Sequence, residues 1–162
     1  MAQVARTDAA QAMKMGKELP HVAGSEGKTQ VVPSKELHYA DLQAWKFNDD
    51  TAEFLGGSDP TVDGTYSVKN LELGKMYEVS FYMSIKNLPV SNQVTLTLEL
   101  PGGKKEEKTE KIVVVPLVWE EVSVGNFLNV YPRGDIKFKF SGVSGDTWKG
   151  LLLKGVHITS SS

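Results

Sequence analysis

The feature that most limits the fold is a strict two-residue alternation of apolar and polar side chains. From Met76 to Lys86 it sets Tyr77, Val79, Phe81, Met83 and Ile85 against Glu78, Ser80, Tyr82, Ser84 and Lys86. Gln93 to Leu100 repeats it, with Val94, Leu96, Leu98 and Leu100 on the apolar side, and Asp135 to Ser141 does so with Ile136, Phe138 and Phe140. Successive side chains of a strand point to opposite faces. The pattern therefore predicts strands with one face buried and one wet, the habit of antiparallel sheets.

Shorter strands are expected at Thr29–Val32, Glu36–Tyr39, Trp45–Phe47, Thr65–Leu71, Lys111–Val115, Val118–Val124 and Leu151–Thr159. Parity breaks at Lys154-Gly155, where a bulge would return Val156 and Ile158 to the face of Leu151 and Leu153. Turn-forming runs separate these segments: Gly56 to Pro60, Asn87-Leu88-Pro89, Pro101-Gly102-Gly103, Pro132-Arg133-Gly134 and Gly142 to Asp146. Many short strands without a long amphipathic helix predict an all-β fold, a two-sheet antiparallel β-sandwich or jelly roll. The mixed-charge run Lys104 to Lys111 reads as a solvated hairpin tip, and the polar tail Thr159 to Ser162 as a frayed end.

Residues 1–28 have a different composition, rich in Ala, Met, Gly and Lys. Asp8 is placed to cap a short helix ending near Glu18, ahead of Pro20. The expected organisation is a mobile N-terminal arm or weak helix over residues 1–28, followed by one sandwich domain over 29–162. A net charge of −2 offers no global attraction for nucleic acid or an anionic membrane. The absence of cysteine excludes a disulfide scaffold and thiolate chemistry. Met1 to Asp8 lacks the apolar core of a secretory signal, so a cytosolic protein, not secreted by a signal peptide and not membrane-bound, is expected.

Catalytic chemistry finds little support. His21, His38 and His157 have no nucleophile elbow near them, and each reads as structural or exposed. The adjacent carboxylates Asp49-Asp50 and Glu120-Glu121 face opposite sides of a strand, so neither forms an acid/base couple. No motif for zinc is present, and Asp59 to Asp63 lacks the spacing of a known calcium loop. No enzyme activity, cofactor or metal is expected.

The aromatic residues carry the better lead. Trp148 lies in the polar turn Gly145-Asp146-Thr147-Trp148-Lys149-Gly150, and Trp45 lies in an equally polar stretch before Asn48 and Asp49. An indole face against a pyranose buries about 100 Å², worth roughly 2 kcal/mol. Lys149 and Asn48 can supply hydrogen bonds to sugar hydroxyls or an acetamido carbonyl. Two readings stand for each Trp, a sugar platform or a lid on the core. Trp119 shares strand parity with Glu121 and Ser123 and reads as packing at the sandwich edge or as part of a bulge.

Two segments resemble the plant phloem lectins, the family that includes the tobacco lectin Nictaba. They are Trp119-Glu120-Glu121-Val122-Ser123-Val124-Gly125-Asn126-Phe127 and Thr147-Trp148-Lys149-Gly150-Leu151-Leu152-Leu153-Lys154-Gly155-Val156-His157-Ile158, with Met76 to Phe81 similar to a middle strand. The resemblance implies a non-catalytic sandwich that binds N-acetylglucosamine oligomers, the chitobiose core of N-glycans and glycoproteins. It also implies a homodimer, residence in cytosol, nucleus or phloem sap, and RNA or protein cargo as an alternative role. A more distant likeness to the sugar-binding domain of glycoprotein-recognising F-box proteins places Trp148, Lys149 and Gly150 against the sugar. The candidate site is thus Trp148 as stacking surface and Lys149 as donor, with Thr147, Trp45, Tyr39 and Asn48 around them.

Overall fold

The structure, a computed structural model, describes residues 28–161. Thr29–Ser160 form one compact unit. Its strands are β1 (Thr29–Pro33), β2 (His38–Tyr39), β3 (Trp45–Asn48), β4 (Thr51–Phe54), β5 (Thr61–Ser67), β6 (Met76–Ile85), β7 (Val90–Glu99), β8 (Lys105–Val114), β9 (Glu120–Leu128), β10 (Asp135–Gly142) and β11 (Leu151–Ser161). A six-stranded sheet runs β3-β4-β11-β6-β9, with β1 also paired to β11. A five-stranded sheet runs β2-β5-β10-β7-β8. The only helical turns among the described residues are short 3-10 segments, and no helix there is long and apolar enough to cross a membrane. The chain is all-β with two antiparallel sheets, as the alternation predicts. The arm and helix expected in residues 1–28, with His21, lie outside the described residues apart from Lys28.

The core forms where the two alternating faces meet. Tyr77, Val79, Phe81, Met83 and Ile85 of β6 are all buried, as are Val94, Leu96 and Leu98 of β7 and Ile136, Phe138 and Phe140 of β10. Phe81 bridges the sheets, with ring centroids 6.1 Å from Phe138 and 5.7 Å from Phe140. Each buried ring or aliphatic chain of this size contributes about 1.5–3 kcal/mol. Leu100, expected inside, is only half-buried, because β7 ends at Glu99 and the chain turns there.

The parity break in β11 has a structural cause. One side of β11 pairs with β4 at Leu152 and Leu153, then with β1 from Gly155 to Thr159. Gly155 sits at the handover with φ 151°, and a Cβ there would lie 2.3 Å from the Val32 carbonyl oxygen. The kink restores Val156 and Ile158 to the buried face of Leu151 and Leu153. The tail does not fray as expected: β11 continues to Ser161, held in part by the Thr29–Thr159 hydroxyl pair at 3.1 Å.

Other boundaries also differ. Lys104 to Lys111 is not a hairpin tip; from Lys105 it is strand, paired throughout with β7. The turn is Pro101-Gly102-Gly103, where both glycines have positive φ and Leu100 N–H donates to the Lys104 carbonyl. Backbone pairing builds this strand although all its side chains up to Lys111 are exposed, so no apolar alternation marks it. β4 went unrecognised because its inward residues are Ala52 and Phe54, too few to show a period. β5 starts at Thr61 rather than Thr65, since Gly64 replaces an inward side chain where Phe138 and Leu37 approach.

Gly155→Ala is expected to lower stability by about 2–4 kcal/mol through the clash and the positive φ. A fall in the urea midpoint at unchanged slope is the measurement.

Candidate functional site

Three strand ends meet at one end of the sandwich. Gly150 N–H donates to the Phe54 carbonyl at 2.8 Å, and the Gly150 carbonyl accepts from Lys86 N–H at 2.9 Å. The ends of β4 and β6 and the start of β11 are thereby tied together. Gly150 has φ 91°, a conformation suited to glycine, and its missing side chain leaves the Lys86 Cβ 3.4 Å from where a Cβ would stand.

Above this junction lies an open cleft of about 620 Å³. Its floor is Phe54 and Gly150, and its walls are Leu55, the turn Asn87-Leu88-Pro89, and Asp146, Thr147 and Lys149. Leu55 and Leu88 are exposed there, at 42% and 76%. Glu53 and Lys86 pair across one side, with Nζ 3.5 Å from Oε1. The cleft thus combines an aliphatic wall with amide, hydroxyl, ammonium and carboxylate groups. Among the described residues no cluster of three or more metal-ligating side chains occurs.

The turn bearing Lys149 is held from several directions. Ser144 adopts a left-handed conformation, φ 56°, which starts the 3-10 turn Gly145–Trp148. Gly145 N–H donates to Asp59 Oδ1 at 2.8 Å, and Gly57 N–H donates to Asp146 Oδ1 at 3.2 Å. Asn92 Nδ2 donates to the Val143 carbonyl at 3.3 Å and to Thr147 Oγ1 at 3.1 Å. The Lys149 stem lies over Gly56, where an added Cβ would come within 3.3 Å of Lys149 Cε.

Trp148 is not the solvent-facing platform that the sequence suggested. It is fully buried, at 0% exposure. Its indole N–H donates to the Val143 carbonyl at 2.8 Å, and its ring meets Phe140 edge-on at 5.8 Å. Gly142 makes room for it: a Cβ there would stand 2.8 Å from Trp148 Nε1. The Trp has a polar group of its own to satisfy and a pocket shaped for it, so it packs inward.

Trp45 and Tyr39 are corrected in the same way, being 6% and 5% exposed. Tyr39 lies 5.0 Å from Trp45 and 5.1 Å from Phe47, and Trp45 lies 5.2 Å from Phe54. Tyr39, Trp45 and Phe54 belong to the buried core at the cleft floor, and Phe47 is an exposed ring at its margin. Tyr39 donates its hydroxyl to the Ser34 carbonyl at 2.7 Å. Burial pushes its phenol well above the usual range.

Asn48 is exposed but sits at the far end of the β3–β4 hairpin, opposite Thr51, whereas the cleft lies at the Phe54 end. Three residues of strand, roughly 10 Å, separate them. Only Lys149 and Thr147 of the proposed set reach the cleft. Glu53, Leu55, Lys86, Asn87, Leu88 and Asp146 were missed, although the apolar Leu88 in a turn was a readable signal. Trp119 does pack at the sandwich edge, half-buried, 5.4 Å from Tyr82 and beneath the Lys154 ammonium at 4.4 Å.

Comparison with known proteins adds independent information. The family model described as phloem protein 2 matches residues 45–160. A protein of Arabidopsis thaliana named Protein PHLOEM PROTEIN 2-LIKE A1 is 33% identical over 104 residues, covering 60% of this chain and 42% of that protein. The chain therefore spans less than half the length of that relative. A solved structure of the Clostridium thermocellum xylanase 10B CBM22-1-GH10 modules with xylohexaose superposes with a TM-score of 0.52 at 13% identity, covering 86% of this chain and 29% of that one. A family two carbohydrate esterase from Cellvibrio japonicus gives 0.50 at 10% identity, over 84% of this chain and 34% of that one. These two likenesses concern the fold alone.

Trp148→Phe is expected to lower stability by about 2–3 kcal/mol, through a lost hydrogen bond and a cavity. Lys149→Ala should change it by less than about 0.5 kcal/mol. Thermal melts of both variants make the comparison.

Tyr39 makes stability pH-dependent in a defined direction. The unfolded phenol ionises near about pH 10, while the folded one keeps its proton. The unfolded state then binds fewer protons, so stability is intact below that pH and falls above it. Tyr39→Phe should flatten part of the fall between about pH 9 and 11, read from denaturant midpoints across that range.

Proposed function

The chain belongs to the phloem protein 2 family, and from that premise we propose that it is a non-catalytic lectin for N-acetylglucosamine oligomers. Its ligands on this reading are chito-oligosaccharides and the chitobiose core of N-glycans on glycoproteins, met in the cytosol or phloem sap. The observation that carries the reading is the cleft at the β4, β6 and β11 ends, where Lys149, Thr147, Asp146 and Asn87 surround an aliphatic wall. An N-acetylhexosamine has an apolar ring face and an acetamido methyl beside hydroxyl and carbonyl groups. Leu55, Leu88 and Pro89 suit the former; the amide, hydroxyl and ammonium groups suit the latter. Among the described residues no aromatic side chain is exposed in the cleft, so stacking is replaced by aliphatic contact. Less apolar area is covered per sugar, and a single site then belongs at the millimolar to micromolar end.

Isothermal calorimetry with chitotriose tests this. The wild type is expected to bind, and Lys149→Ala and Leu88→Asp each to weaken binding at least about tenfold without a change in melting temperature. Mass spectrometry of the incubated sugar should show no cleavage. Full affinity in both variants would move the site elsewhere, and salt-sensitive binding of RNA with no sugar binding would favour a cargo-carrying role instead.

A further inference from the structure

Leu117 is held in a backbone conformation that its side chain disfavours. Its φ is 68°, in the left-handed region where a Cβ crowds the neighbouring carbonyl oxygen. Two other non-glycine residues among those described share this region, Asp49 and Ser144, and both are short, polar turn formers. Leu117 is neither. Its side chain is also 95% exposed, so no burial within the domain offsets the strain.

The position of this residue is fixed by β6. Pro116 bridges to Ile85 in parallel, and Ser84 Oγ donates to the Val115 carbonyl at 3.4 Å. The chain therefore climbs beside the end of β6, turns over at Leu117 and returns as β9, with Glu120 opposite Met83. Leu117 stands at the apex, one strand spacing or roughly 5 Å across from the backbone of Lys86. Lys86 and the Asn87-Leu88-Pro89 turn after it are the cleft wall. Leu117 and Leu88, at 95% and 76%, are the two most exposed large apolar side chains among the described residues, and both belong to this one rim. A single exposed leucine needs no explanation, but two adjacent ones beside a cleft, one of them strained, do. Pro116 precedes one and Pro89 follows the other, which stiffens both and reduces the entropy lost when they are covered.

Across the cleft the chemistry changes in one direction. Asp146, Thr147 and Lys149 lie on the β11 side, and Leu88 and then Leu117 lie outward on the β6 and β9 side. A ligand lying along this line presents hydroxyl and carbonyl groups at one end and an apolar group at the other. We propose that Leu117, together with Leu88, docks the alkyl aglycone of a glycoside whose sugar occupies the cleft, an inference that rests on the lectin reading above.

Calorimetry with methyl and octyl β-chitobioside, the latter below its micelle concentration, tests it. The wild type is expected to bind the octyl glycoside at least about tenfold more tightly than the methyl one. Leu117→Asn, which suits the left-handed backbone, should bring the two within about twofold while leaving the methyl glycoside affinity and the fold unchanged. Leu73→Asn, 61% exposed at the opposite end of β6, should keep the full octyl advantage. Equal affinities in the wild type, or an advantage that survives Leu117→Asn, would overturn the inference and leave the lectin reading standing. No binding of either glycoside would end both. Octyl glucoside bound as tightly as octyl chitobioside would show a chain held without the sugar, and wild-type binding to phosphatidylcholine vesicles that Leu117→Asn abolishes, with no octyl advantage, would assign the tip to a membrane; each overturns the proposal.

Discussion

The end of the sandwich depends on one hydrogen bond inside an apolar setting, from the Trp148 indole to the Val143 carbonyl. An unpaired N–H in a fully buried ring costs roughly 1–3 kcal/mol, so the ring can sink into the core only where an acceptor awaits it. The left-handed Ser144 and the 3-10 turn that follows bring the chain back on itself, setting ring and carbonyl five residues apart in hydrogen-bond reach. Gly142 is the other half of the arrangement, since a side chain there would occupy the space of the indole. With Trp148 fixed beneath, Thr147 and Lys149 on either side are forced outward into the cleft.

The same logic governs the far wall. Tyr39, Trp45 and Phe54 form a chain of ring contacts linking β2, β3 and β4, and Phe54 then floors the cleft. The aromatic residues of this region shape the site without facing it. What faces solvent is aliphatic or polar: Leu55, Leu88, Asn87, Thr147 and Lys149. Exposed aliphatic residues on short turns, tied through Gly150 to the strand ends, make a rigid surface at little entropic cost.

How far the sequence carried this picture follows from what each signal measures. Period-two alternation measures burial on one face, so β6 and β10 were legible almost to the residue and β7 from its fourth residue onward, and even the kink at Gly155 could be placed from lost parity. β8 and β4 were not, because one has no buried residues over most of its length and the other has only Ala52 and Phe54 to show. Of the six candidate residues, two line the cleft. Lys149 and Thr147 were found because they flank a turn Trp, but sequence alone cannot say whether a Trp in a turn points in or out. That answer rested on Gly142 and Val143, neither of which looks like a partner until the turn is built. Asn48 was misplaced for a different reason: closeness to Trp45 in sequence becomes the length of a hairpin in space.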